Sequence, residues 1–169
     1  GGLGLLMETL ADLRDEGKNL DALYNWIKEY KLNMHHWFFV SDLTYLVRGG
    51  RVSKVSGWVG NMLNINPLLN IDMEGHLIPR FKVRGKKKVI NQTLNQMIGH
   101  AEDGLDYKRK CFISHADALE DAQKLAQIIE EKFPKLNGKV QLSNIGTTIG
   151  SHTGPGTVNL FFWGNKRTD

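Results

Sequence analysis

A single cysteine, Cys111, stands in the 169-residue sequence, so no internal disulfide braces the fold. A lone thiol suits a reducing compartment, and the cytoplasm is the expected location. Apolar runs are short: residues 37–40 are among the longest, far below the ~20 residues that cross a bilayer. With a mean hydropathy of -0.34 the sequence reads as a soluble protein without stable membrane insertion. No basic segment precedes an apolar stretch at the start, where Glu8, Asp12 and Arg14 soon follow, so no secretory signal is visible. The histidines form no H-E-x-x-H pattern and Cys111 has no second cysteine beside it, which argues against a metal centre. There is also no G-x-S-x-G elbow. Ser114 and His115 are adjacent on a predicted strand, where neighbouring side chains diverge, so no catalytic residue is assigned.

What is present is enough apolar material for a core: 41% hydrophobic and 24% charged residues suit an ordinary globular domain. Leu6, Leu10 and Leu13, then Leu20, Leu23, Tyr24 and Ile27 after an Asn19 cap, recur at helical spacing and predict a helical hairpin over residues 1–34. Residues 36–41 suit a buried strand, followed by a helix over 42–46 that Gly49 and Gly50 end. A further helix is expected over 53–63, stopping before the Asn66-Pro67 breaker. Strands over 68–73 and 77–83 form a hairpin around Glu74-Gly75, and a basic helix follows over 86–101. A strand over 110–114 leads to a helix in which Asp117 and Glu120 make a capping-box pattern ahead of Leu119, Ala122, Ala126, Ile129 and Phe133. Strands over 140–145 and 157–163 flank a loop rich in glycine and hydroxyl groups. The class is α/β, a sheet with flanking helices.

That loop, residues 146–156, has backbone amides and hydroxyls that could surround an anion; the alternative is a plain turn between strands. It is no P-loop, since no lysine follows its glycines in the required order. His152 within it could donate to a carboxylate and become cationic beside one, or simply be a solvated loop histidine. Six cations fall between Arg80 and Lys88, and Arg80, Lys82 and Arg84 at strand spacing predict one basic face opposite Phe81 and Val83. Arg48, Arg51 and Lys54 form a second cluster around Gly49-Gly50. Both clusters fit ordinary solvated surfaces, and the net charge of +4 with a pI near 9.2 permits an acidic partner without naming one.

Four segments in order resemble the DegV family: Asp42-Leu43-Thr44-Tyr45-Leu46-Val47-Arg48-Gly49-Gly50-Arg51, Gly60 to Leu69, Lys82-Val83-Arg84-Gly85, and His152-Thr153-Gly154-Pro155-Gly156. Asn66 departs from the family's usual lysine. The resemblance implies a two-domain bacterial carrier of a long-chain fatty acid such as palmitate or stearate, with no other cofactor. It makes residues 1–34 the helical end of a first domain and linker, and residues 35–169 the C-terminal α/β domain. The start of the first domain, with its carboxylate-holding hydroxyls, is then absent. His152 is implied as a carboxylate contact and Arg84 as a nearby cation, with Thr153 and Gly154 beside them. Met62, Leu63, Ile65 and Phe162 are candidates for the acyl tunnel or for ordinary core. In better understood members a separate fatty acid kinase phosphorylates the bound acid, and the carrier does no chemistry. Arg48, Arg51 and Lys54 are then candidates for docking that kinase. Two other classes remain: a nucleic-acid-binding module suggested by residues 80–88, though no nucleic-acid partner is expected, and a small hydrolase prompted by the histidine loop.

Overall fold

The computed structural model describes residues 1–52 and 64–168. The expected helix over 53–63, with Lys54, Met62 and Leu63, lies outside the described residues. Helices α1 (Gly2–Asp15) and α2 (Leu20–Tyr30) come first. The Asn19 side chain caps α2, accepting from the Ala22 amide at 3.0 Å as its position before the apolar repeat implies. A short 3-10 turn leads into β1 (Met34–Phe39), followed by α3 (Thr44–Arg48), β2 (Ile65–Ile71), β3 (Leu77–Arg84) and α4 (Lys86–His100). Then come β4 (Phe112–Ala116), α5 (Leu119–Lys132), β5 (Gln141–Asn144), α6 (Thr147–Thr153) and β6 (Thr157–Trp163).

The strands form one sheet in the order β3-β2-β1-β6-β4-β5, antiparallel except for the β4–β5 pair. Residues directly opposite one another share a face, so the registers sort the side chains into two sets. One face carries Trp37, Phe39, Leu68, Ile113, Val158 and Leu160. It packs against α4 through Val89, Ile90 and Met97, and against α5 through Ala122, Leu125 and Ile129. Each Val, Leu, Ile, Phe or Met side chain among them, taken fully out of water, contributes about 1.5–3 kcal/mol, which makes this interface the main source of stability. On the opposite face Phe38, Val40 and Leu69 meet Leu43 and Leu46 of the α3 region in a second cluster. Helix α1 begins on that face too, its Gly2 lying against the His36 and Phe161 rings.

Several local expectations fail for identifiable reasons. Asp117 adopts φ 49° and α5 begins after Ala118 without a side-chain cap, so the capping box does not form. The Asn66-Pro67 pair sits inside β2 rather than outside it. Pro67 is paired with Lys82 on one side, and its carbonyl accepts from Val40 just past the end of β1, where its missing N–H breaks no ladder bond. A bulge places Leu68 opposite Phe81 but Leu69 opposite Pro79, leaving Arg80 as the extra residue. Arg80 therefore turns toward Asn70, donating from Nε at 2.8 Å, on the face opposite Lys82 and Arg84. The single basic face expected of Arg80, Lys82 and Arg84 is thus split. Finally, residues 147–153 of the expected loop coil into α6.

Candidate functional site

The antiparallel registers bring the carboxyl ends of β1, β3, β4 and β5 to the same end of the sheet as the amino ends of β2 and β6. Phe39 pairs with Val158 and Leu68, Arg84 with Ile65, and Ala116 with Thr157. The described residues of the family-like segments converge here although they are far apart in the chain. Arg84 and Ile65 stand opposite each other on the face that carries Phe38 and Leu69, Arg84 exposed and Ile65 half-buried. Phe162 lies on the other face, fully buried and stacked on His35 at 5.0 Å, so it belongs to the main core and not to the surface beside Ile65.

Helices α3 and α6 meet at this end, and three glycines set how closely. Gly49 ends α3; a Cβ there would overlap Nδ1 of His152, so the imidazole lies directly on the Gly49 backbone. Gly154 ends α6 at φ 80°, and a Cβ there would overlap the Tyr45 ring. Gly156 lies equally close to Ser41 Oγ. The His152 side chain is half-buried and makes no hydrogen bond among the described residues. Thr153 is buried with its hydroxyl donating to Ile149 O at 3.1 Å, and Thr157 Oγ1 donates to Gly154 O at 2.7 Å. Those hydroxyls brace the end of α6. Thr153 thus holds His152 in place from behind, and its side chain has a partner already.

Arg48 and Arg51 are exposed on either side of Gly49-Gly50, and Arg51 reaches the Gly49 carbonyl at 3.4 Å. Lys86, the first residue of α4, pairs with Asp121 at 3.1 Å and lies over the Phe39 ring at 5.4 Å. Leu43 and Leu46 of the α3 region pack on Phe38, Val40 and Leu69 in the second buried cluster, which fixes α3 on the sheet. The contacts of Tyr45 with Gly154 and of Ser41 with Gly156 were not foreseen; the glycines of residues 154–156 were the available signal that another group approaches closely there. No group of three or more His, Cys, Asp or Glu side chains able to hold a metal occurs among the described residues.

A family model described as an uncharacterised protein of the DegV family matches residues 1–165. The chain belongs to the DegV family. A DegV domain-containing protein of Clostridium perfringens is 37% identical over 169 residues, covering 98% of this chain and 56% of that protein. Among solved structures, a DegV lipid binding protein from Thermotoga maritima aligns with a TM-score of 0.82 at 26% identity, over 99% of this chain and 57% of that one. A fatty acid binding DegV family protein from Streptococcus agalactiae aligns at 0.75 and 27%, over 95% and 55%. This DegV chain thus spans a little over half the length of the relatives it matches.

Proposed function

We propose that this DegV chain is the greater part of a fatty-acid carrier, which holds one acyl chain and presents its carboxylate to a partner fatty acid kinase without doing chemistry itself. The observation that carries the reading is that Arg84 and Ile65 stand opposite each other at the same end of the sheet as α3 and α6, where the His152 imidazole lies on the Gly49 backbone. Relatives described as lipid binding and fatty acid binding support the ligand class. For a tail of ~14 methylenes at about 0.8 kcal/mol each, burial contributes at most roughly 11 kcal/mol, so the tail governs affinity and His152 governs orientation. Arg48 and Arg51 give the rim a positive field that steers an acidic kinase surface.

Calorimetric titration of one fatty acid into this chain, and into a protein extended N-terminally to the relatives' length, tests the reading. Stronger binding by the extended protein is expected, because a second domain closes the tail from water and adds hydroxyl contacts worth about 1.5–3 kcal/mol each to a charged head. Equal affinities would place the whole site within residues 1–169, and absence of binding to either would end the carrier reading.

A further inference from the structure

His152 sits on a helix too weak to hold its direction alone. α6 has seven residues, Gly150 and three threonines among them, and its N-cap Gly146 makes no side-chain bond. Glycine and threonine are poor helix formers, and a free helix this short is unstable in water. Thr153 is the one buried residue of α6, while Thr147, Thr148, Ile149 and Ser151 are exposed. What grips the last turn of α6 therefore sets where the imidazole points.

That grip comes from α3, which Leu46 anchors in the second buried cluster. Tyr45 and Gly49, four residues apart, lie on one side of α3, and both touch the end of α6. The Tyr45 ring fills the place of the Cβ that Gly154 lacks, its Cγ and Cε2 only 2.7 and 2.8 Å from that position. Gly154 follows His152 by two residues. At Gly49 the imidazole fills the corresponding place, its Cε1 3.2 Å from the missing Cβ. The Tyr45 carbonyl is 3.2 Å from that same point and accepts from the Gly49 amide at 2.9 Å. Tyr45 thus bears on α6 twice: directly through its ring, and through Gly49, whose place its carbonyl fixes. One contact would let α6 roll about its axis, whereas two at different points stop it. The hydroxyl takes no part: it makes no hydrogen bond among the described residues, and Tyr45 remains 38% exposed.

We propose that Tyr45 is a positioning residue for His152: its ring, seated on Gly154, holds the last turn of α6 in the rotation that aims the imidazole at the ligand's carboxylate. The proposal rests on the carrier reading and adds that the site requires the ring and not the hydroxyl. A flat side chain is needed to approach the Gly154 main chain this closely, and glycine is needed opposite it, because any Cβ there would overlap the ring.

The test uses the full-length protein loaded with palmitate carrying carbon-13 at its carboxyl, and reads the carboxyl resonance together with palmitate retention. Tyr45→Ala is expected to move the resonance as His152→Ala does, with retention within about threefold of wild type because the tail supplies the affinity. Tyr45→Phe, which keeps the ring, should restore the wild-type resonance. Adding Tyr45→Ala to His152→Ala should change nothing further, since Tyr45 acts through the imidazole. Should Tyr45→Ala not fold, Tyr45→Leu takes its place with the same expectations: it keeps apolar bulk and helix propensity but has no flat face to lay on Gly154. A wild-type resonance in the folded variant, beside a moved one in His152→Ala, would overturn the proposal and leave the carrier reading standing. So would a Tyr45→Phe resonance that moves as far as that of Tyr45→Ala, or a Tyr45 effect that adds in full to that of His152→Ala. A wild-type resonance in His152→Ala itself would overturn the head-group assignment and this proposal with it.

Discussion

Replacing Gly49 by alanine separates the geometry of His152 from the stability of the fold. Gly49 has φ -76°, open to any residue, so the added methyl meets no torsional penalty. It would overlap His152 Nδ1 and lie 3.2 Å from the Tyr45 carbonyl. The alanine stiffens the unfolded chain, a gain of about 0.4–1 kcal/mol. Displacing the imidazole from its rotamer costs about 0.5–1.5 kcal/mol. These nearly cancel, so the denaturation midpoint should move little. The head-group contact has no such offset: a hydrogen bond to a charged group is worth about 1.5–3 kcal/mol, and its loss weakens the hold on the carboxylate by roughly tenfold to a hundredfold. Gly50 supplies the control. It has φ 64° with open space around it, so Gly50→Ala should cost about 1–2 kcal/mol of stability and leave His152 in place. The assay is chemical denaturation together with the NMR signal of a carboxyl-labelled fatty acid bound to the full-length protein. A Gly49→Ala protein whose bound carboxylate resonance matches wild type would refute the reasoning.

In the full-length protein, His152→Ala should impair acyl-phosphate formation by the kinase more than fatty-acid retention, because the tail supplies most of the burial; unchanged phosphorylation would remove His152 from the site. Arg51→Glu should slow association with an acidic partner and flatten its salt dependence while ligand occupancy stays normal, as stopped-flow mixing across ionic strengths will report. Burial pushes the Cys111 thiol well above its usual range, so alkylation in mildly alkaline buffer should track global unfolding; fast labelling of the native chain would contradict the packing. Burial also holds His35 near pKa 4 and His36 near 3, below the unfolded value of about 6.5. The unfolded chain then binds protons that the native chain refuses, so stability is full above about pH 6.5 and falls by up to about 1.4 kcal/mol per pH unit for each histidine on acidification. Urea midpoints that stay flat between pH 6.5 and 4.5 would show that the two rings are hydrated.

Those elements whose pattern repeats within a short window were legible in the sequence. The β6 strand occupies residues 157–163 as read, because aromatic and β-branched residues buried on both faces leave little choice, and the periodic apolar positions of α5 place that helix correctly. Errors arose where a distant contact decides the local conformation. Asp117 cannot cap α5 while it holds a left-handed turn out of β4. Residues 147–153 look like a loop because Gly150 and the threonines have low helix propensity, yet Thr153 and Thr157 bond back to main-chain carbonyls and close the turn. The bulge at Arg80 was invisible for the same reason: it depends on the pairing of β3 with β2. Motif order brought His152, Arg84 and Ile65 into one expectation; the sheet register pairs Arg84 with Ile65 at the end of the sheet where β6 begins, just after the α6 helix that carries His152. The resemblance implied Thr153 beside the carboxylate, but its hydroxyl serves the helix end; Tyr45 was read only as part of a motif and Ser41 only as the end of a strand, yet they fill the space left by Gly154 and Gly156.

Native mass spectrometry of the full-length protein, purified gently from its source or a bacterial host, tests the central claim most directly. The account predicts a population heavier than the bare polypeptide by the mass of one long-chain fatty acid, released as that acid on collisional activation. A protein that stays at its bare mass even after incubation with excess fatty acid would contradict it.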